Sequence, residues 1–175
     1  NAIFFPFQDV DLDKLNLFLV ENKITIYLRP HINDSNKSKL EWKSYFENLN
    51  QSNIKDLTFA ELEDINLLLP FTNIIITDYS AIYTDAMLLN IPMIFITYDL
   101  DDYAKKRGLI YNYDDVAAGH KVFDQSHFMK SIDEIINGKN IYSKRLEQVK
   151  KIFHSYEDGK SSERIMSIIK KKLNN

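Results

Sequence analysis

The 175-residue chain is long enough to bury a core, and 45% hydrophobic with 13% aromatic residues is a globular composition, outside the range of disordered chains. The absence of cysteine excludes disulfides, thiolate metal sites and a cysteine nucleophile, and suits a reducing cytoplasm. The net charge of −3 is unevenly spread: from Lys139 onward ten Lys and Arg stand against four Asp and Glu, before it twelve against twenty-one.

Leu12, Leu15 and Leu19 recur at helical spacing after an acidic first turn, which predicts a helix over 11–20. Ile24 to Leu28 follows as a short β-branched strand, and Lys39 to Leu49 reads as a surface helix. A short strand is expected within Asn53 to Phe59, then a helix from Ala60 to Leu69. Asn73 to Thr77 is a continuous apolar strand of the kind covered on both faces in a parallel sheet. Ser80 to Leu89 forms the next helix, closed by Asn90, and Pro92 to Thr97 the next strand. Helices over Gln125 to Ile136, Tyr142 to Phe153 and Ser161 to Leu173 finish the chain.

Strands alternating with helices predict one α/β domain over 1–175, a Rossmann-like parallel sheet flanked by helices. Ligands of such sheets bind beyond the carboxyl ends of the strands. The residues just after Leu28, Thr77 and Thr97 are therefore the first candidates.

Arg29-Pro30-His31 follows the first strong strand. Arg29 offers a planar fork to phosphate, and His31 offers a donor or a proton carrier near neutral pH. Plain strand termination accounts for the same residues. In Thr77-Asp78-Tyr79-Ser80-Ala81, Ser80 is placed to cap the following helix, whose first amides would face an anion. Asp78 disfavours a bare phosphate there unless its carboxylate turns away or takes a ribose or glycerol hydroxyl. At Asp158-Gly159-Lys160-Ser161, Gly159 permits close approach, Lys160 brings charge and Ser161 or Ser162 caps the last helix. The upstream glycine of a P-loop is missing.

The acidic residues Asp99, Asp101, Asp102, Asp114 and Asp115, and His120, His127 and His154, lack ligand spacing and read as solvated positions. No metal or cofactor is implied, nor a nucleic-acid partner. No apolar run reaches the roughly 18 residues of a membrane span.

The run Ile76-Thr77-Asp78-Tyr79-Ser80-Ala81-Ile82-Tyr83-Thr84-Asp85, continued by Leu88 to Phe95, resembles the C-terminal half of CDP-glycerol glycerophosphotransferases, the teichoic-acid and capsule polymerases of GT-B fold. Tyr98 to Tyr103 with Arg107-Gly108, then Tyr113-Asp114-Asp115, then Asp158 to Arg164, agree in the same order. The resemblance implies a CDP-activated polyol phosphate as donor, with CMP expelled as a polyol-phosphate or capsule polymer grows at the cytoplasmic membrane face. It implies that His31 contacts the donor pyrophosphate and is the catalytic histidine of this half. Arg29 would share that basic strand-end motif, and Thr77, Asp78 and Ser80 would hold phosphates or polyol.

Two segments depart from the family pattern: Phe5-Pro6-Phe7-Gln8-Asp9 lacks the usual Thr and Arg, and Val116 to His120 lacks a Pro-Gly-Pro. The opening Asn1-Ala2 without methionine, and a length too small for the acceptor-binding half, lead to the expectation of a fragment of a longer enzyme. A GT-B domain using another nucleotide sugar, or a non-catalytic nucleotide-binding module, are the competing readings. The basic tail suggests an anionic membrane surface as partner, although a solvated helical face is the simpler and preferred account of it.

Overall fold

Short parallel strands with helices between them organise the chain, as the alternating pattern requires. The computed structural model describes residues 7, 9–29, 53–57 and 59–174. The helix expected over Lys39–Leu49, together with Pro30 and His31, lies outside them.

Helix α1 (Leu12–Glu21) begins where the Asp11 carboxylate accepts from the Lys14 amide, an N-cap that relieves one of the donors a helix start leaves over. It leads to β1 (Ile26–Leu28), which pairs in parallel with β2 (Ile54–Asp56). A second parallel sheet has the order β3 (Ile75–Thr77), β4 (Met93–Ile96), β5 (His120–Val122). Its register sets Ile75 against Met93, Thr77 against Phe95 and Ile96 against Val122. Between the strands lie α2 (Ile82–Leu88), α3 (Leu100–Arg107) and α4 (Tyr113–Val116). The chain then runs through α5 (Gln125–Ile136), α6 (Ser143–Phe153) and α7 (Ser161–Leu173).

The two-residue period of β4 divides the core between the two faces of its sheet. Ile94 joins Leu15 and Leu19 of α1, Phe128 and Ile132 of α5, Val122, and the β1–β2 residues Ile26, Leu28 and Ile54. Met93 and Phe95 look the other way, toward Ala86 and Met87 of α2, Tyr113 and Val116 of α4, and Leu146 and Val149 of α6. Helices thus cover both faces, and one apolar cluster ties the two sheets together. Gly119 is held by steric need: a Cβ there would stand 2.2 Å from the Met93 carbonyl oxygen.

Several expectations are corrected. The stretch 60–69 is no α-helix: turns lead into two 3-10 turns, Ile65–Leu67 and Leu69–Phe71. Asp64 bonds the Asn66 amide, Pro70 supplies no amide, and Leu69 alone is buried in these turns, so no apolar stripe sustains a longer helix. Elements α3, α4 and β5 were not expected. The solvated reading also fails for His120, which is 8% exposed on β5. Its Nδ1 lies 3.9 Å from Glu134, its ring meets Tyr142 edge-on at 4.8 Å, and burial pushes its pKa down. His154 is half-buried, with Nε2 2.8 Å from the Thr84 carbonyl oxygen, whereas His127 is exposed beside Asp124.

Candidate functional site

The carboxyl ends of β3, β4 and β5 open on one edge of their sheet, because all three strands run the same way. The loop after β3 carries the largest group of the expected site residues. Thr77 is buried at the strand end, Asp78, Ser80 and Ala81 are exposed, and Tyr79 is half-buried. Asp78 makes an Asx-type turn, its Oδ1 accepting from the Ser80 amide at 3.2 Å. This corrects the expected cap. Helix α2 starts at Ile82 with Ala81 in the cap position and no side chain bonding the helix start. The Thr84 hydroxyl donates to the Ala81 carbonyl at 2.8 Å.

Tyr103 and Tyr113 from other elements, together with the loop's own Tyr79, hold this loop in place. The Tyr113 hydroxyl, carried in by α4, donates to the Asp78 carbonyl oxygen at 2.7 Å. The Tyr79 hydroxyl donates to Asp99 Oδ1, in the loop after β4, at 2.7 Å. Tyr79 also stacks on Tyr103 of α3, with ring centroids 4.0 Å apart, and meets Tyr113 edge-on at 5.5 Å. Burial, reinforced by Asp99 for Tyr79 and by Asp78 for Tyr113, pushes both phenols above their ordinary range. Both therefore stay neutral O–H donors at physiological pH. Beside this cluster, an open cleft of about 470 Å³ lies between α3 and the 109–114 segment, with Leu100, Ala104, Leu109 and Ile110 along it and Asp101 and Asp114 among its polar groups.

The remaining expected site residues sit elsewhere. Arg29 follows β1, half-buried. Its two terminal nitrogens donate to the carbonyls of Leu62 and Glu63, the latter at 2.8 Å, and its guanidinium lies 4.0 Å over the Phe59 ring. Much of its donor fork is spent on holding the 59–63 segment. At the start of α7, Gly159 has φ +70°, and Lys160, not Ser161, occupies the cap position. Asp158 organises this turn by accepting from the Lys160 amide at 3.1 Å and from Arg164, which holds its carboxyl below the usual range. No hydrogen bond or ring contact among the described residues joins Gly159, Lys160 or Ser161 to the Thr77–Ala81 loop. His31 lies outside the described residues.

Tyr113, Asp99 and Tyr103 carry the loop's support; this corrects the solvated reading of Asp99, which is half-buried and bonded to Tyr79, and the sequence reading assigned the two tyrosines no individual role. Their signal was present: Tyr113 heads the Tyr113-Asp114-Asp115 segment, and Asp99 and Tyr103 lie in the run Tyr98 to Tyr103.

Comparison with known proteins fits this arrangement. The family model of CDP-Glycerol:Poly(glycerophosphate) glycerophosphotransferase matches residues 2–171. The chain is 30% identical over 169 residues to the teichoic acid poly(ribitol-phosphate) polymerase of Bacillus spizizenii, covering 94% of this chain and 25% of the relative. It is 28% identical over 171 residues to the teichoic acid glycerol-phosphate primase of Bacillus subtilis, covering 93% of this chain and 41% of the relative. The solved structure of the wall teichoic acid polymerase TagF superposes with a TM-score of 0.70 at 26% identity, over 99% of this chain and 39% of that one. The chain thus spans between a quarter and about two fifths of the length of these relatives. A match over nearly the whole sequence, agreeing with the superposed fold, places this chain in the CDP-glycerol:poly(glycerophosphate) glycerophosphotransferase family.

Proposed function

We propose that this chain is the donor-binding part of a transferase that moves a polyol phosphate from a CDP-activated donor to a growing polymer, the acceptor being brought by the portion of its relatives that it does not span. The observation that carries this reading is the family match over 2–171, which takes in the Thr77–Ala81 loop at the carboxyl end of β3. In the proposed reaction an acceptor hydroxyl oxygen bonds the β-phosphorus. The bond from that phosphorus to the bridging oxygen breaks, CMP leaves, and the hydroxyl proton passes to a base.

Transfer of this kind depends on positioning and on neutralising phosphate charge. His31 is the proposed imidazole at the donor pyrophosphate, Ser80 and Thr77 are proposed contacts to phosphate or polyol, and Lys160 is a proposed source of positive charge. The same chemistry serves glycerol and ribitol donors, which differ only in the length of the polyol. Contact with the inner membrane face through the basic C-terminal helices belongs to this proposal as well.

Calorimetric titration of the chain with CDP-glycerol, CMP, UDP-glucose and UDP tests it. The expected result is saturable binding of CDP-glycerol, weakened at least about tenfold, or 1.4 kcal/mol, in His31→Ala and in Ser80→Ala. A clear preference for UDP-glucose would replace this reading with a glycosyltransferase domain.

A further inference from the structure

We propose that Tyr113 and the Tyr79–Asp99 pair are positioning residues that preset the 78–81 loop for a nucleoside diphosphate, by tying the loop after β3 to the loop after β4 and to α4. This rests on the donor-binding reading above and adds to it the device that shapes the site.

Three contacts constrain the loop. Tyr113 takes the Asp78 carbonyl at 2.7 Å, Asp99 takes the Tyr79 hydroxyl at 2.7 Å, and Tyr103 stacks against the Tyr79 ring at 4.0 Å. These partners stand on two elements: Tyr113 on α4, and Asp99 and Tyr103 at the N-cap and in the first turn of α3. Tyr113 is itself fixed by burial at 5% exposure and by edge contact with Phe95 of β4 at 5.8 Å. The Tyr79 hydroxyl therefore points to a carboxylate within the fold, and the outward work is left to Ser80 and Ala81, both exposed.

A largely exposed loop of four residues would otherwise sample many backbone states, and a ligand would have to order it on binding. Tethering the carbonyl of one residue and the side chain of the next removes that cost before the diphosphate arrives. At this edge Asp99 also holds the N-cap position of α3 and bonds the Tyr98 side chain. A carboxylate beside a diphosphate site repels the ligand, so its presence there calls for a structural return, which the Tyr79 hydrogen bond supplies.

The test is calorimetric titration of the 175-residue chain with CDP-glycerol and with CMP, alongside thermal melts. Tyr113→Phe keeps the ring and its packing and removes only the hydroxyl. It is expected to weaken CDP-glycerol binding about fivefold to tenfold, the size of one lost hydrogen bond, and CMP binding less. Asp99→Asn retains an acceptor for Tyr79 and removes the repelling charge, so it is expected to bind at least as tightly as the parent, whereas Asp99→Ala is expected to lose about as much as Tyr113→Phe. His120→Gln, at the opposite end of β5, serves as a control that lowers the melting temperature without changing affinity. Tighter binding in both Asp99 variants would show that Asp99 acts only as a repelling charge and would overturn the proposal. So would unchanged CDP-glycerol affinity in Tyr113→Phe while the parent binds. A parent chain that binds no CDP-glycerol would remove the donor-binding reading itself, and this inference with it.

Discussion

His120 shows how a single buried group makes stability depend on pH. Burial disfavours its charged form, and Glu134 at 3.9 Å offsets this only in part, so its pKa falls below the ordinary 6.5. The unfolded chain therefore takes up a proton at a pH where the folded chain does not. This contribution to stability is complete above about pH 6.5 and shrinks as the pH drops toward the folded pKa. Its slope cannot exceed about 1.4 kcal/mol per pH unit, the linkage of one proton. Denaturant titrations across this window should show the decline in the parent chain and a flatter profile in His120→Gln. Equal slopes in the two would mean that other groups govern the acid side.

Among the elements, α7 stands apart. It has an amphipathic pattern, yet none of its residues is buried. Ile165, Met166, Ile168, Ile169 and Leu173 all lie exposed, and the Arg164 guanidinium 3.8 Å over Tyr156 is its most evident attachment. Helices draw most of their stability from a packed face, and this one has little to draw on. Replacing Ile165 and Ile169 together by Gln should therefore change the unfolding free energy by less than about 0.5 kcal/mol per site, as at other surface positions. A loss of several kcal/mol on chemical denaturation would mean that α7 folds back onto the body. α5 is the opposite case, since Phe128 and Ile132 are sealed into the core and its N-terminus is capped by Asp124 at 2.7 Å from the His127 amide.

At the scale of the molecule, the decisive feature is that Ile94 of β4 packs in the same cluster as Ile26, Leu28 and Ile54 of β1 and β2. The two sheets share no strand pairing among the described residues, but they share a core. Sheets that bury each other's apolar face cannot lose it separately at low cost. Unfolding followed by far-UV circular dichroism and by tyrosine fluorescence should give coincident midpoints. Two separated transitions would show that the sheets melt independently.

The residue pattern alone determined the α/β class, the parallel strands around Ile75–Thr77 and Met93–Ile96, and the long amphipathic helices. Each of these rests on local periodicity or on a continuous apolar run. α5 and α7 were read to the residue because their apolar positions repeat over three turns or more. Motif order also pointed to the loop after Thr77. Tertiary structure alone decided the rest. A three-residue strand such as His120–Val122 carries no period to detect and exists because β4 offers it a partner. Helix α3 buries nothing, so its charged sequence gave no apolar stripe to read. Whether Ser80 or Ala81 takes the cap depended on where the Asp78 carboxylate turned, and Arg29 was spent on two distant carbonyls, at Leu62 and Glu63. The Tyr113 tether spans 35 residues of sequence, and no local rule specifies a contact that forms only when the strands stack side by side.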